Sequence, residues 1–217
     1  MPSPNPEVIF VQSRITSPSL PPQPSTNAST PADELNTTGF PYLAIYPNLN
    51  LDWLSSPDCE FWTLPLHSDL LPAGGPGTSE AGGFVFDVSD FDMGGYEVVK
   101  TVGKREGSGA AKYVVVVTVG EGVVEGREGD LEGLLGESRG KLGVEGGTST
   151  LVRMNFRKAE IPPREEEVRR GELFIGREYV VLHQIDSPPT DLEEQWGEKP
   201  ILYNLIGGFG DVNSVLA

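Results

Sequence analysis

The chain has few of the residues that usually carry catalytic chemistry. It contains one cysteine, Cys59, and two histidines among 217 residues. A single cysteine excludes an intrachain disulfide, and the acidic neighbours Asp58 and Glu60 disfavour the thiolate that a nucleophilic cysteine requires. The histidines and the cysteine also lack the spacing of metal ligands. We therefore expect no metal, no cofactor and no catalytic thiol.

Long hydrophobic runs and positive charge are scarce as well. No apolar stretch approaches the ~18 residues of a membrane span, and the first thirty residues do not read as a signal peptide. Sixteen basic residues against thirty-two acidic ones give a net charge of -16. This charge repels phosphate backbones and anionic lipids. We expect a cytoplasmic protein with no nucleic-acid partner and no membrane partner.

Glycine and proline are abundant instead, with 27 and 19 residues respectively. Much of the chain should therefore form turns and irregular backbone. Residues 16–40 are rich in proline and hydroxyl side chains, and they hold too little apolar surface to offset the entropy lost on ordering. We predict a disordered loop there.

The apolar pattern centres on one stretch, where five valines lie within six residues between Val114 and Val119. Such a run predicts a buried central strand, Tyr113–Val119. Asp130 precedes leucines at helical spacing, which predicts a helix at 130–143. We predict a bulge at Gly94-Gly95 and a short helix at 191–196. Further strands are expected at Glu7–Ile15, 41–46, 84–102, 149–158, Tyr179–Ile185 and 201–206.

The predicted elements of residues 104–217 run strand, helix, strand, strand, short helix, strand. This is the order of a ferredoxin-like unit. Residues 1–103 show a partial copy of it, with the loop at 16–40 in place of some elements. The sequence therefore predicts an α+β fold in which a first, eroded half and a second half together form one compact barrel.

Five stretches of the sequence carry a resemblance to a known family. They are residues 8–16 (VIFVQSRIT), 41–54 (PYLAIYPNLNLDWL), 86–99 (FDVSDFDMGGYEVV), 179–187 (YVVLHQIDS) and 203–210 (YNLIGGFG). These stretches resemble the tandem EthD-like proteins of the dimeric α/β-barrel superfamily, a group common in fungi. The resemblance implies two ferredoxin-like halves that form a pseudo-dimeric α/β barrel of mainly antiparallel sheets, in a monomer.

The chain departs from this family at the helix that usually carries an aromatic pair, an acid and a histidine. In the second half the corresponding residues are Leu134, Leu135, Glu137 and Arg139, so only the acid remains. In the first half the proline-rich segment replaces that helix. The general base common in the family is therefore absent from both halves.

His183 is the strongest candidate for chemistry, because alternation places it on the same strand face as Tyr179 and Val181. It could act as a general acid or base, with Glu137 or Arg139 orienting a substrate. The alternative is a core or interface histidine bonded to a nearby backbone group. Tyr179, Val181 and Trp53 are the candidate ligand-binding residues.

The resemblance implies a protein of secondary, polyketide-like metabolism that binds or tailors a small apolar or aromatic compound. Relatives in the superfamily include dehydratases, decarboxylases and cyclases that need no cofactor. The alternative is a noncatalytic barrel that serves as a binding or scaffolding module.

Overall fold

The computed structural model describes residues 7–15, 42–47, 89–104, 111–157 and 174–204. These residues form an α+β fold with seven strands and two helices. The strands are β1 (Glu7–Ile15), β2 (Tyr42–Pro47), β3 (Ser89–Val102), β4 (Tyr113–Val119), β5 (Thr148–Arg157), β6 (Tyr179–Ile185) and β7 (Ile201–Asn204), and the helices are α1 (Glu121–Glu125) and α2 (Leu131–Lys141).

All seven strands belong to one sheet in the order β2-β1-β3-β5-β6-β4-β7, and every neighbouring pair is antiparallel. The long strand β3 pairs with β1 through its first part and with β5 through its second part. Its register against β5 shifts between Gly95 and Tyr96, but the extra residue there is Asn155 of β5. Gly94 and Gly95 stay in unbroken register with β1, so the bulge predicted in β3 at these glycines is wrong and the irregularity lies in the partner strand. A second shift, between Val98 and Lys100, leaves Val99 of β3 without a partner in β5, and a bulge of this kind bends a strand and increases its twist.

One face of the sheet forms a barrel-like interior. Gln12 on β1 donates a 2.7 Å hydrogen bond from Nε2 to the hydroxyl of Tyr203 on β7, although these strands stand second and last in the strand order. The sheet must therefore curve until the strands near its two edges come close to each other. Every strand contributes to the apolar cluster inside, namely Val8, Phe10, Leu43, Ile45, Tyr96, Val98, Val114, Val116, Val152, Met154, Val180, Leu182, Ile201 and Tyr203.

The segment that precedes β6 fills part of this interior. The side-chain oxygen of Gln12 accepts hydrogen bonds from the backbone N–H groups of Phe174 and Ile175, at 2.9 and 3.2 Å. The Phe10 ring meets the rings of Tyr96 and Phe174 edge to face, with centroids 5.1 and 5.6 Å apart. Protein side chains thus occupy the part of the interior around Phe10.

The opposite face of the sheet is covered by the helices. Asp130 begins α2 by accepting a 3.0 Å hydrogen bond from the Gly133 N–H, as expected for an N-terminal cap. The helix then places Leu134 and Leu135, both fully buried, against the sheet. The strand residues beneath are those that alternate away from the barrel, and they include Val115, Val117, Leu151, Val181 and Ile185.

The structure confirms the predicted bounds of β1, β4 and β6 and moves other boundaries by a few residues. The prediction of a short helix at 191–196 is wrong. Gln195 and Glu198 instead exchange two backbone hydrogen bonds of 2.8 and 2.9 Å around a tight turn. Trp196 and Gly197 both have positive φ, at 50° and 83°, which suits a two-residue hairpin turn and excludes a helix.

One helix was not predicted from the sequence. It is α1, which follows β4 directly and is only five residues long. The loop predicted at 16–40 lies outside the described residues. Among the described residues, no helix combines the length and apolarity needed to cross a bilayer.

Candidate functional site

His183 lies on β6 on the same face as Val181, as period-two alternation predicted, and this face packs against α2. Its Nε2 is 2.8 Å from the Ser138 hydroxyl on α2, and its Nδ1 is 2.8 Å from the Ser149 hydroxyl on β5. The side chain has 0% of its surface exposed, and both serines are equally buried. His183 is therefore a core histidine whose two ring nitrogens are both occupied by hydroxyl groups.

The polar contacts extend beyond the two serines. The Ser138 hydroxyl donates to the Gln195 side-chain oxygen at 2.8 Å, and the Gln195 amide donates back to the Ser138 carbonyl at 3.4 Å. On the other side, Arg139 Nη1 donates to the Ser149 hydroxyl at 3.2 Å. We call Ser138, Arg139, Ser149, His183 and Gln195 the buried polar network.

The donors and acceptors of this network fix the protonation of the imidazole. A guanidinium only donates, so the Ser149 oxygen accepts from Arg139 and its own proton is directed to His183 Nδ1. The single proton of Ser138 is directed to Gln195, so Ser138 accepts from His183 Nε2. The arrangement satisfies every member when His183 is neutral and carries its proton on Nε2. In that form His183 does not act as a base toward Ser138.

Electrostatics favour the same neutral form. Burial, and then the positive charge of Arg139, lowers the pKa of His183 from 6.5 to about 3. A second proton on Nδ1 would face the Ser149 hydroxyl proton and lie close to a guanidinium. The imidazole therefore stays uncharged at neutral pH.

Arg139 holds the turn that follows α2. Its Nη1 donates to the Gly147 carbonyl at 3.0 Å, and its Nη2 donates to the carbonyls of Glu145 and Gly146, both at 3.3 Å. Together with its bond to Ser149, these contacts tie the end of α2 to the start of β5. Its guanidinium is directed at carbonyl oxygens of this turn.

Glu137 belongs to a separate group on the outer side of α2. It forms ion pairs with Arg127 and with Lys141 at 3.1 Å. The hydrogen bond from Arg127, and then that from Lys141, lowers the pKa of Glu137. Lys141 also lies over the Trp196 ring, 5.5 Å from its centroid. The structure thus brings Arg139 and His183 together through Ser149, and it gives Glu137 other partners.

Two of the candidate ligand-binding residues, Tyr179 and Val181, lie on the same face of β6 as His183. Val181 is fully buried between Leu151 and Val117 on the adjoining strands. Tyr179 is half-buried and opposite Arg153, whose pKa is raised first by Glu97 and to a smaller degree by Tyr179. Trp53 lies outside the described residues.

Three surface grooves occur in the described part of the chain. One lies beside residues 143–147 and 185–189, one beside Lys100 and residues 128–132, and one between Gly120, Gly176 and Trp196. None of the three has His183, Ser138 or Ser149 in its wall. The described residues also include no group of three or more His, Cys, Asp or Glu side chains that could hold a metal ion.

Sequence reasoning missed Ser138, Ser149 and Gln195. The signal for Ser138 was its spacing, four residues after Leu134, which places a hydroxyl on the apolar face of α2. Ser149 could be placed on a strand from the sequence, but its position opposite His183 follows from strand pairing, which the sequence does not show. Nothing in the sequence singles out Gln195, because its contact depends on the turn at 195–198.

Comparison of the chain with models of protein families, with curated proteins and with solved structures finds no match.

Proposed function

We propose that this chain is a noncatalytic member of the EthD-like, dimeric α/β-barrel type, and that it serves as a binding or scaffolding module. Its strand order supports the type. Residues 104–217 contribute β4, β5, β6 and β7, which lie in the sheet as β7-β4-β6-β5, all antiparallel. A ferredoxin-like unit resembles this arrangement, with its fourth, first, third and second strands side by side and a helix between the first two.

The remaining strands support an eroded first half. β1, β2 and β3 form the other end of the same sheet, and β3 joins them to the second half by pairing with β5. Side chains from both halves meet in one interior, as the bond between Gln12 and Tyr203 illustrates. A pseudo-dimeric barrel made from one chain accounts for this shared interior.

The noncatalytic assignment depends on one observation, the complete enclosure of His183. A general acid or base must come within hydrogen-bond reach of a substrate atom. Both ring nitrogens of His183 are already bonded, and no part of the side chain is exposed. A pKa near 3 also lies far from the value that favours proton transfer at neutral pH.

A cofactor-free tailoring enzyme of secondary metabolism is the second candidate. The observation in its favour is the connection from Arg139 through Ser149 to His183, between the helix and the sheet. In that case α2 would have to move away from β6 to admit a substrate, and Arg139 would orient it. Glu137 would contribute only after releasing Arg127 and Lys141.

Turnover measurements on His183→Gln distinguish the two candidates. Three proteins are compared: wild type, His183→Gln and His67→Gln, which changes the other histidine of the chain as a control. Each is incubated with a panel of hydroxylated aromatic ketones, and products are followed by mass spectrometry. The proposal expects no wild-type product and the same ligand affinities, within about twofold, in all three proteins. Wild-type turnover that falls by about 10²-fold or more in His183→Gln, but not in His67→Gln, would establish the enzyme instead.

A further inference from the structure

Polar side chains cluster at one part of the barrel interior, on the sheet face opposite His183. Gln184 follows Val180 and Leu182 by alternation, and both of these face the interior. Thr148 donates from its hydroxyl to the Gln184 side-chain oxygen at 3.1 Å. Nearby on β5, the Thr150 hydroxyl is 3.2 Å from that of Thr101. We call Thr101, Thr148, Thr150 and Gln184 the polar patch.

One atom of this patch has an unfulfilled hydrogen-bonding capacity. The Gln184 side chain is 2% exposed, and its Nε2 has no hydrogen-bond partner among the described residues. A buried donor without an acceptor costs about 1–3 kcal/mol. Exchanging the positions of the Gln184 amide nitrogen and oxygen would leave the side-chain oxygen without a hydrogen-bond donor instead, because Thr148 makes only one hydrogen bond to this amide. One end of Gln184 therefore needs an occupant in either orientation.

The surroundings restrict what that occupant can be. All four side chains of the polar patch are uncharged. Val114 pairs with Gln184 on one side and with Tyr203 on the other, so the Tyr203 phenol lies two strands away on the same face. Burial raises the pKa of Tyr203, which indicates that this interior disfavours negative charge. A neutral group suits the site better than an anion.

We propose that the polar patch binds a neutral oxygen atom against Gln184 Nε2, supplied either by the carbonyl or hydroxyl group of a small ligand or by a buried water molecule. Both sources offer the acceptor that the amide lacks, and a water can also donate. Buried waters commonly satisfy such groups in protein interiors. The ligand alternative rests on the proposed binding function and places its ligand in the barrel, away from His183.

The test observes the Gln184 side-chain amide directly by NMR in ¹⁵N-labelled wild-type protein. Acetophenone is titrated as the carbonyl probe, and ethylbenzene is its matched control with a similar shape and no oxygen. Cross-relaxation between Gln184 Hε and water is measured before either is added. Gln184→Met, which keeps the volume and removes the amide, is titrated in parallel.

Two results support the proposal. In the ligand case, acetophenone shifts the Gln184 Hε resonances saturably and binds at least tenfold more tightly than ethylbenzene, and Gln184→Met loses that preference. In the water case, acetophenone has no effect, and a long-lived water cross-relaxes with Gln184 Hε. The wild-type spectra decide between these cases even when Gln184→Met does not fold.

The proposal is overturned when neither a bound water nor an acetophenone shift is detected, or when a protein atom is found to accept from Gln184 Nε2. These results are independent of turnover at His183. Loss of turnover in His183→Gln would refute the noncatalytic function and leave the occupant of the polar patch in place.

Discussion

Enclosing a neutral histidine makes the stability of the fold depend on pH. His183 has a pKa of about 3 in the folded chain, against 6.5 when unfolded. Because the folded pKa is the lower one, the unfolded chain takes up the proton first as the pH falls. The stabilisation is therefore complete above pH 6.5 and is lost progressively between pH 6.5 and about 3.

The expected magnitude follows from the distance to the unfolded pKa. Each pH unit below 6.5 lowers the free energy of unfolding by about 1.4 kcal/mol, until His183 of the folded chain itself binds the proton. At pH 5, which is 1.5 units below, the free energy of unfolding should fall by about 2 kcal/mol because of His183 alone. This loss is a substantial fraction of the stability of a typical domain.

Urea unfolding followed by tryptophan fluorescence measures this loss. The free energy of unfolding is determined at pH 8 and pH 5 for wild type, His183→Gln and His67→Gln. The many carboxylates titrate in all three proteins, so their contribution cancels in the comparison. Wild type and His67→Gln should each lose about 2 kcal/mol more than His183→Gln.

Equal pH dependence in wild type and His183→Gln would refute the enclosure of a neutral imidazole. An NMR titration of wild-type protein gives an independent check that needs no variant. The His183 ring resonances should remain constant from pH 8 to pH 4. A midpoint near 6.5 would mean that the imidazole is open to solvent, and the noncatalytic assignment would lose its main support.

Two further predictions concern local backbone geometry, and both are measured by chemical denaturation. Gly147→Ala should lower the free energy of unfolding by about 2 kcal/mol or more, because Gly147 has φ +88° and a Cβ there would lie 2.1 Å from the Gln184 carbonyl oxygen. The control Gly146→Ala should have little effect, because no atom lies within 4 Å of the position that its Cβ would take. Equal effects would contradict the close approach. Asp130→Ala should cost about 1 kcal/mol by removing the acceptor of the Gly133 N–H, and Asp130→Asn should retain most of the cap. A loss as large in Asp130→Asn would show that the cap bond is not the cause.

Local patterns predicted the strands well because the signal for each lies within a few residues. The valine run of β4 and the alternation in β6 fix both the element and the face of each side chain. The order of strands in the sheet could not be read in this way. β3 pairs with β5 across more than forty intervening residues, and the choice of partners depends on how the whole chain fits together.

The candidate site shows the same division between local and distant information. Alternation correctly placed His183 on the face of Val181, but it does not tell what covers that face. The cover is α2, and Ser138 provides the matching hydroxyl. Comparison with the EthD-like helix directed attention to Glu137 and Arg139, because a charged residue is the usual sign of chemistry. On α2, the residue that contacts the imidazole is the serine between them, Ser138.

The buried polar network also gives His183 a structural role. It connects α2, β5, β6 and the turn at 195–198, so it requires these four parts to meet in one arrangement. If α2 shifted along the sheet by one turn, Ser138 would move by about 5 Å and the imidazole would lose its acceptor. An unmatched polar group in this interior costs about 1–3 kcal/mol, whereas an apolar interface would tolerate such a shift at smaller cost. The network therefore selects one position of α2 on the sheet, and a residue type associated with proton transfer here acts as a structural determinant.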